Sequence, residues 1–184
     1  VGPDYRLKGK ILGINDLAHY DRYAPMRGQE SDIEFSQARE MVIDAFADFS
    51  PRLASTADQF FDNRWIDAGL AEGKQGGAYY ATVTPDHHPY LFMNYTGKPR
   101  DVMTLAHELG HGIHDVLAAH NHLLDYHPVL PMAETASTFG EMLVFDRLLG
   151  NLTDDGERLA LVCSKVEDTF ATVFRQIAMY RFEQ

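Results

Sequence analysis

The chain has 184 residues, with 16 Lys and Arg against 27 Asp and Glu and a net charge of −11. An acidic chain without a basic run is badly matched to a phosphate backbone, which argues against a nucleic-acid partner. No apolar stretch approaches the roughly 20 residues that span a bilayer, so no membrane partner is expected either. The single cysteine, Cys163, allows no internal disulfide and fits a reducing, cytoplasmic setting.

The length suits one domain or a piece of a larger one. Val1-Gly2-Pro3 is not an initiator sequence, and no secretion signal follows it. The chain stops at Glu183-Gln184 inside an apolar-periodic stretch with no helix stop signal. We therefore expect an internal piece of a longer protein, cut at both ends.

Tyr5 to Leu12 reads as a weak helix, and Asn15 to Glu34, rich in Asp, Pro, Gly and Tyr, as an irregular connection. Ser36 is the expected cap of a helix whose apolar positions, Ala38, Met41, Val42, Ala45, Phe46 and Phe49, follow a three-and-four spacing. Pro51 opens a second helix through about Asp62. Gly69, Gly73, Gly76 and Gly77 then disfavour helix. Ala78 to Thr84 and Tyr90 to Tyr95 are aromatic and β-branched and read as two strands of a hairpin or sheet edge. Asp86, His87 and His88 decorate the turn between them. Asp101 caps a helix to about Ala119, and Asn121 to Pro128 is a polar loop. Pro131 opens a helix ended by Gly150-Asn151, and Thr153 or Asp154 begins the last one. The fold class is mainly α with a small β-sheet element (α+β).

His107-Glu108-Leu109-Gly110-His111 carries the chemistry. Residues i and i+4 of a helix share a face, so both imidazoles can meet one zinc ion. Glu108 borders the same site and can hold and deprotonate a zinc-bound water. Thr104, His107, Glu108, His111, His114 and Asp115 form a polar stripe on a helix that is otherwise apolar. Such a helix is buried, and its polar groups need partners.

A catalytic zinc takes a third protein ligand and leaves one position open. The metzincin pattern fails, because the positions three and six residues after His111 hold His114 and Leu117 rather than Gly and His. The remaining candidates are His120, His122, His127, Glu134 and Glu141. The loop histidines lie past the helix end. Glu134 is better placed, in a run of small residues that permits close helix packing and in a first turn that favours a carboxylate. Glu141, seven residues on, shares its face and is a candidate to hold a ligating histidine; His114 is another. Cys163 sits among Leu161, Val162 and Val166 and reads as a buried apolar thiol rather than a nucleophile.

The ordered set His107-Glu108-Leu109-Gly110-His111-Gly112-Ile113-His114 and Glu134-Thr135-Ala136-Ser137-Thr138 resembles the zinc oligopeptidases of the thimet oligopeptidase and oligoendopeptidase F family, the latter branch more closely. Upstream, Leu12-Gly13-Ile14 with Tyr20-Asp21 and Ala24-Pro25, Trp65-Ile66-Asp67 with Lys74 to Tyr79, and Pro89 to Tyr95 agree in the same order. The resemblance implies a zincin-like catalytic core, with one Zn2+ held by His107, His111 and Glu134 and with Glu108 as general base. It implies short unstructured peptides as substrates, lying along a cleft strand by main-chain pairing. The Gly76 to Thr84 segment is the candidate for that strand, with Gly76, Gly77, Ala78 and Tyr79 its leading residues. The family's later His and Tyr residues, which steady the oxyanion, fall beyond the equivalent of Gln184, so the missing remainder of the polypeptide is an expected partner.

On this reading the chain is part of one catalytic domain: a helical lead-in over 1–64, a β element over 65–99 and zinc-site helices over 100–184. The alternatives are a different glutamate-ligand zinc peptidase, or an inactive helical interaction domain with a structural zinc or no metal. A structural site would recruit a fourth protein ligand, such as His114 or a loop histidine.

Overall fold

The computed structural model describes residues 2–18, 20–21, 24 and 32–184, with side chains from Arg6 onward. Much of the connection read over 15–34 lies outside the described residues, including Pro25 of the family-like segment. The chain divides into two units, Glu30–Asn151 and Val1–Gln29 with Leu152–Gln184.

In the larger unit, α2 (Phe35–Phe49) and α3 (Pro51–Asp62) share Ser50. Its hydroxyl accepts from Leu53 N–H at 3.4 Å, and Pro51 occupies the first helical position, where no amide is needed. The expected cap at Ser36 is corrected. The cap is Glu34, two residues earlier, so helix α2 starts at Phe35, and the Glu34 amide donates to Gln37 Oε1 at 3.0 Å. A Glu–Gln pair two residues earlier does the work expected of the serine. The buried positions Ala38, Val42, Ala45 and Phe46 follow the expected stripe.

The strands are shorter than the aromatic runs implied: β2 covers Tyr79–Ala81 and β3 Tyr90–Phe92. They pair antiparallel, Tyr80 opposite Leu91. A third strand, β1 (Ile66–Asp67), joins β3 in parallel and gives the order β1-β3-β2. The amides of Leu91 and Met93 point to β1, donating to Trp65 O at 2.8 Å and Asp67 O at 2.9 Å. Tyr80, paired with Leu91, therefore turns its own backbone groups away from β3, toward the free edge of β2. Lys74 fastens the glycine-rich approach to this strand. Its Nζ donates to Gly69 O at 2.6 Å, Met93 O at 2.7 Å and Asp67 Oδ1 at 3.0 Å. Asn94 Nδ2 adds a bond to Gln75 O at 2.7 Å.

Helix α4 (Pro99–Ala118) begins at Lys98 rather than at an Asp101 cap. Asp101 sits in the first turn, where Oδ2 accepts from Thr96 N–H at 2.7 Å and Lys98 N–H at 3.2 Å. The loop expected over 121–128 contains a short helix, α5 (Leu123–Tyr126). Helix α6 (Leu130–Asn151) starts a residue before Pro131 and runs through Gly150. Glu134 thus lies in the second turn, where the helix dipole gives a carboxylate little help. Val42, Phe46, Phe60, Leu91, Val102, Leu105, Leu109 and Val144 close the core between these elements.

The smaller unit comprises α1 (Gly2–Leu12), α7 (Asp155–Phe170), a π-helical stretch (Ala171–Arg175) and α8 (Gln176–Glu183). Asp154 caps α7, its Oδ1 accepting from Glu157 N–H at 2.9 Å. The last helix is thus interrupted rather than continuous. Lys8 and Glu167 form an ion pair at 2.5 Å with side chains 9% and 25% exposed, so the lysine's burial is matched by a carboxylate. Cys163 is half-buried rather than buried. Among the described residues no helix is long and apolar enough to cross a membrane.

Helices α4 and α6 cross with their backbones in contact. A Cβ on Gly110 would meet Ala136 O and Ser137 Cα at 2.7 Å, and one on Gly140 would meet Ala106 O at 3.0 Å. We predict that Gly110→Ala destabilises the chain by about 1–3 kcal/mol, because the opposing atoms are backbone and cannot step aside. Gly150→Ala, with nothing within 4 Å, should be neutral or gain up to about 1 kcal/mol. Urea midpoints of the two variants read the contrast, and an unperturbed Gly110→Ala would remove the close crossing as a constraint.

Candidate metal centre

The close crossing sets the site. It brings Glu134 of α6 to His107 and His111, which stand one turn apart on α4. Glu134 Oε2 lies 3.4 Å from His107 Nε2 and 3.7 Å from His111 Nε2. The three ligating atoms all fall within 4.8 Å of one another. Ligand atoms at 2.0–2.1 Å from a tetrahedral metal ion stand about 3.3–3.4 Å apart, and the two carboxylate–imidazole distances lie close to that spacing.

The carboxylate of Glu134 is itself held. Ser137, fully buried under Gly110, donates its hydroxyl toward Glu134 Oε2 and Glu134 O, each at 3.0 Å. One proton faces two acceptors, and the charged one makes the stronger bond. His107 turns its second nitrogen, Nδ1, to Glu141 Oε2 at 3.3 Å, the arrangement that fixes an imidazole's tautomer in metal sites. His111 Nδ1 is buried with no hydrogen-bond partner among the described residues. Its ring is held by stacking instead, against Tyr80 of β2 at 4.9 Å between centroids. His114 lies outside the three-residue cluster, and so do the loop histidines.

Glu108 is 7% exposed. Burial raises its pKa, while the charge of His107 and the backbone N–H of Tyr80, donated to its carboxylate, pull the other way. Burial also depresses His107, but the hydrogen bond it donates to Glu141 and the charges of Glu108, Glu141 and Glu134 outweigh it and leave this imidazole more basic than usual. His111 is the reverse case: burial and the charge of His107 hold it below its ordinary value, favouring the neutral ring that a metal requires.

The candidate segment, Gly76 to Thr84, contains β2. Gly76 and Gly77 form a bend ahead of it, and of its four leading residues Tyr79 lies in the strand. Tyr79 points to the opposite sheet face, stacked on Phe92 at 4.8 Å. The residue that meets the helix is Tyr80, by both its amide and its ring. Strand alternation was the available signal, because a one-residue change of parity exchanges the faces.

One further cluster escaped the sequence reading. Asp115, one turn beyond His111, is 3% exposed and accepts from the Tyr126 hydroxyl at 2.5 Å. The same oxygen of Tyr126 lies 3.1 Å from Thr82 Oγ1. Asp115 was visible as a polar residue on an apolar helix, but nothing in sequence named its partner.

A model of peptidase family M3 matches residues 5–184. The chain belongs to this metallopeptidase family. It is 33% identical over 180 residues to the chromosomal oligoendopeptidase F of Lactococcus lactis subsp. cremoris, covering 97% of this chain and 30% of that protein. Oligopeptidase PepF of Bacillus subtilis (strain 168) is 31% identical over 179 residues, covering 96% and 27%. A solved peptidase structure from Chlamydophila abortus superposes with a TM-score of 0.81 at 31% identity, covering 98% of this chain and 31% of that one. The fold of PZ peptidase A matches at a TM-score of 0.73 and 20% identity. The chain thus spans about 30% of the length of the curated relatives it matches. The expected family, fold class and fragment-sized coverage agree with these findings.

Tyr126 and Tyr95 give a pH signature of this unit. Burial, then the Asp115 bond, pushes the Tyr126 phenol up to about 12. Burial, then Asp101 and Glu34, does the same for Tyr95, whose hydroxyl donates to Ile33 O at 2.8 Å. An unfolded tyrosine ionises near 10, so the folded state keeps a proton that the unfolded state has lost between these values. Their contribution to stability is full below about pH 10 and is lost as pH rises to about 12. Melting temperature should fall steeply across that window, and less steeply in Tyr126→Phe. An equal slope in both proteins would refute the assignment to Tyr126.

Proposed function

We propose that this chain carries the catalytic zinc centre of an oligopeptidase that hydrolyses short, unstructured peptides. The supporting observation is the convergence of His107, His111 and Glu134 from two helices, with Glu108 buried beside them on the first. His107 and His111 would hold the zinc through Nε2 and Glu134 through Oε2. Glu141 would steady His107, and Ser137 would orient Glu134. A zinc ion bound there supplies Lewis-acid chemistry, polarising a carbonyl and lowering the pKa of a water toward 7.

Glu108 is the general base in this reading. Its carboxylate takes a proton from the attacking water and delivers it to the nitrogen of the departing amine. Burial favours the protonated intermediate stage of that transfer, and the Tyr80 amide keeps the carboxylate aimed. The free edge of β2, within the Gly76 to Thr84 segment, is where an extended peptide would pair through its main chain, using the Tyr80 carbonyl because Glu108 holds the Tyr80 amide. The reading keeps the chain as part of one catalytic domain whose remaining polypeptide completes the cleft. It places the enzyme in the cytoplasm, where a lone thiol stays reduced.

Metal analysis of the purified chain tests this directly. Wild-type protein should hold one zinc per chain, and Glu134→Ala should lose or weaken it. Glu108→Gln should keep the zinc while cleavage of a quenched fluorescent peptide falls by about 10²–10⁴-fold, the usual worth of a positioned base. Full activity in Glu108→Gln would dismiss the base. Folded wild-type protein without zinc would dismiss the centre.

A further inference from the structure

We propose that Thr82, Tyr126 and Asp115 form a hydroxyl relay that positions β2 against the metal-site helix, and thereby sets the seat of a peptide laid along the β2 edge. The last clause rests on the peptidase reading; the relay itself does not.

The polarity of the relay is fixed. Tyr126 has one hydroxyl proton and gives it to Asp115 Oδ2 at 2.5 Å. Thr82 Oγ1, 3.1 Å from the same phenol oxygen, is left only the role of donor. The order is Thr82 to Tyr126 to Asp115, ending on a carboxylate that is 3% exposed. A buried carboxylate is tolerated only when hydrogen-bonded, so the relay is needed where it stands.

Tyr126 is the keystone. Leu123, Leu124, Asp125 and His127 around it are exposed, while Tyr126 itself is 2% exposed. A phenylalanine would fill the same space. The hydroxyl is explained by the two groups it joins, one on α4 and one at the end of β2.

The geometry shows what the relay controls. Thr82 follows directly on β2, two residues after Tyr80, and both side chains are engaged toward α4. Tyr80 stacks on His111, and Thr82 reaches Asp115 through Tyr126. His111 and Asp115 are themselves four residues apart on α4. Two strand residues advance about 6.6 Å and four helical residues about 6 Å, so the two grips are in register. The strand is held at two points along the helix, and at the first of them the Tyr80 amide also meets Glu108. With one grip released, the strand is free to pivot on the Tyr80–His111 stack.

The test is a double-mutant cycle on the 184-residue chain with Tyr126→Phe, Thr82→Val and the pair, read by amide hydrogen exchange. Each single variant should speed exchange of the Tyr79 to Thr82 amides about tenfold, the worth of one hydrogen bond, and the pair should add little. Amides of α2 and α3 and the zinc content should stay as in wild type. With the same quenched peptide, KM should rise several-fold at nearly constant kcat. Fully additive exchange effects, or unchanged β2 exchange in Thr82→Val, would overturn the relay. Acceleration throughout the unit would reduce it to a stability contact and overturn the positioning role. Thr82→Val leaves the Tyr126–Asp115 bond in place, so it decides the matter if Tyr126→Phe does not fold. A wild-type chain that cleaves no peptide counts against the peptidase reading, while exchange still judges the relay.

Discussion

Everything at the centre depends on how closely two helices approach. Helix α4 carries two histidines on one face, and α6 carries the carboxylates that meet them. At an ordinary separation set by larger side chains, Glu134 and Glu141 would fall short of His107. The missing Cβ atoms of Gly110 and Gly140 let backbone lie on backbone, and both carboxylates then reach the same imidazole from two sides. Each glycine weakens its own helix by about 1 kcal/mol. That local cost is offset by packing of the buried residues around the crossing, Leu105, Leu109 and Val144 among them.

The electrostatics follow from this placement. Glu108, Glu134 and Glu141 surround two imidazoles in a partly buried setting, and among the described residues no lysine or arginine acts on His107 or Glu108. The two histidines respond in opposite directions, because Glu141 touches one and none of the described groups bonds the inner nitrogen of the other. An excess of carboxylates around two imidazoles is a field that welcomes a cation. The same field, strongest at His107, makes that imidazole the more basic of the two.

Much of this was legible in the sequence, and the reasons are specific. The His107–His111 pair sits on a helix, where a spacing of four has one geometric meaning. Helix α3 was legible because Pro51 and Ser50 are local signals. Glu134 and Glu141 were selected by a spacing of seven and by small neighbours, which are again helical facts. The failures lie where structure depends on pairing between distant segments. Strand β1 is two residues long and exists because β3 lies beside it. The choice between Tyr79 and Tyr80 depends on strand parity, and one aromatic run contains both. Tyr126 lies in a short stretch that reads as a polar loop from its Asn, His and Asp residues, while its partners, Asp115 and Thr82, lie 11 and 44 residues away. Helix starts were misjudged by a residue or three wherever a less usual group took the expected cap's place.

The direction of the Tyr80 backbone has a consequence for solubility. A strand at a sheet's edge offers unpaired amides to any other extended chain, and proteins must discourage that pairing. Here the edge strand is three residues long, and the amide that faces outward from its middle is already taken by Glu108. Any extended chain laid there, a peptide or a second copy, is left the Tyr80 carbonyl rather than its amide, because Glu108 holds the amide. The edge is short and offers one pairing position fewer than an open strand of its length.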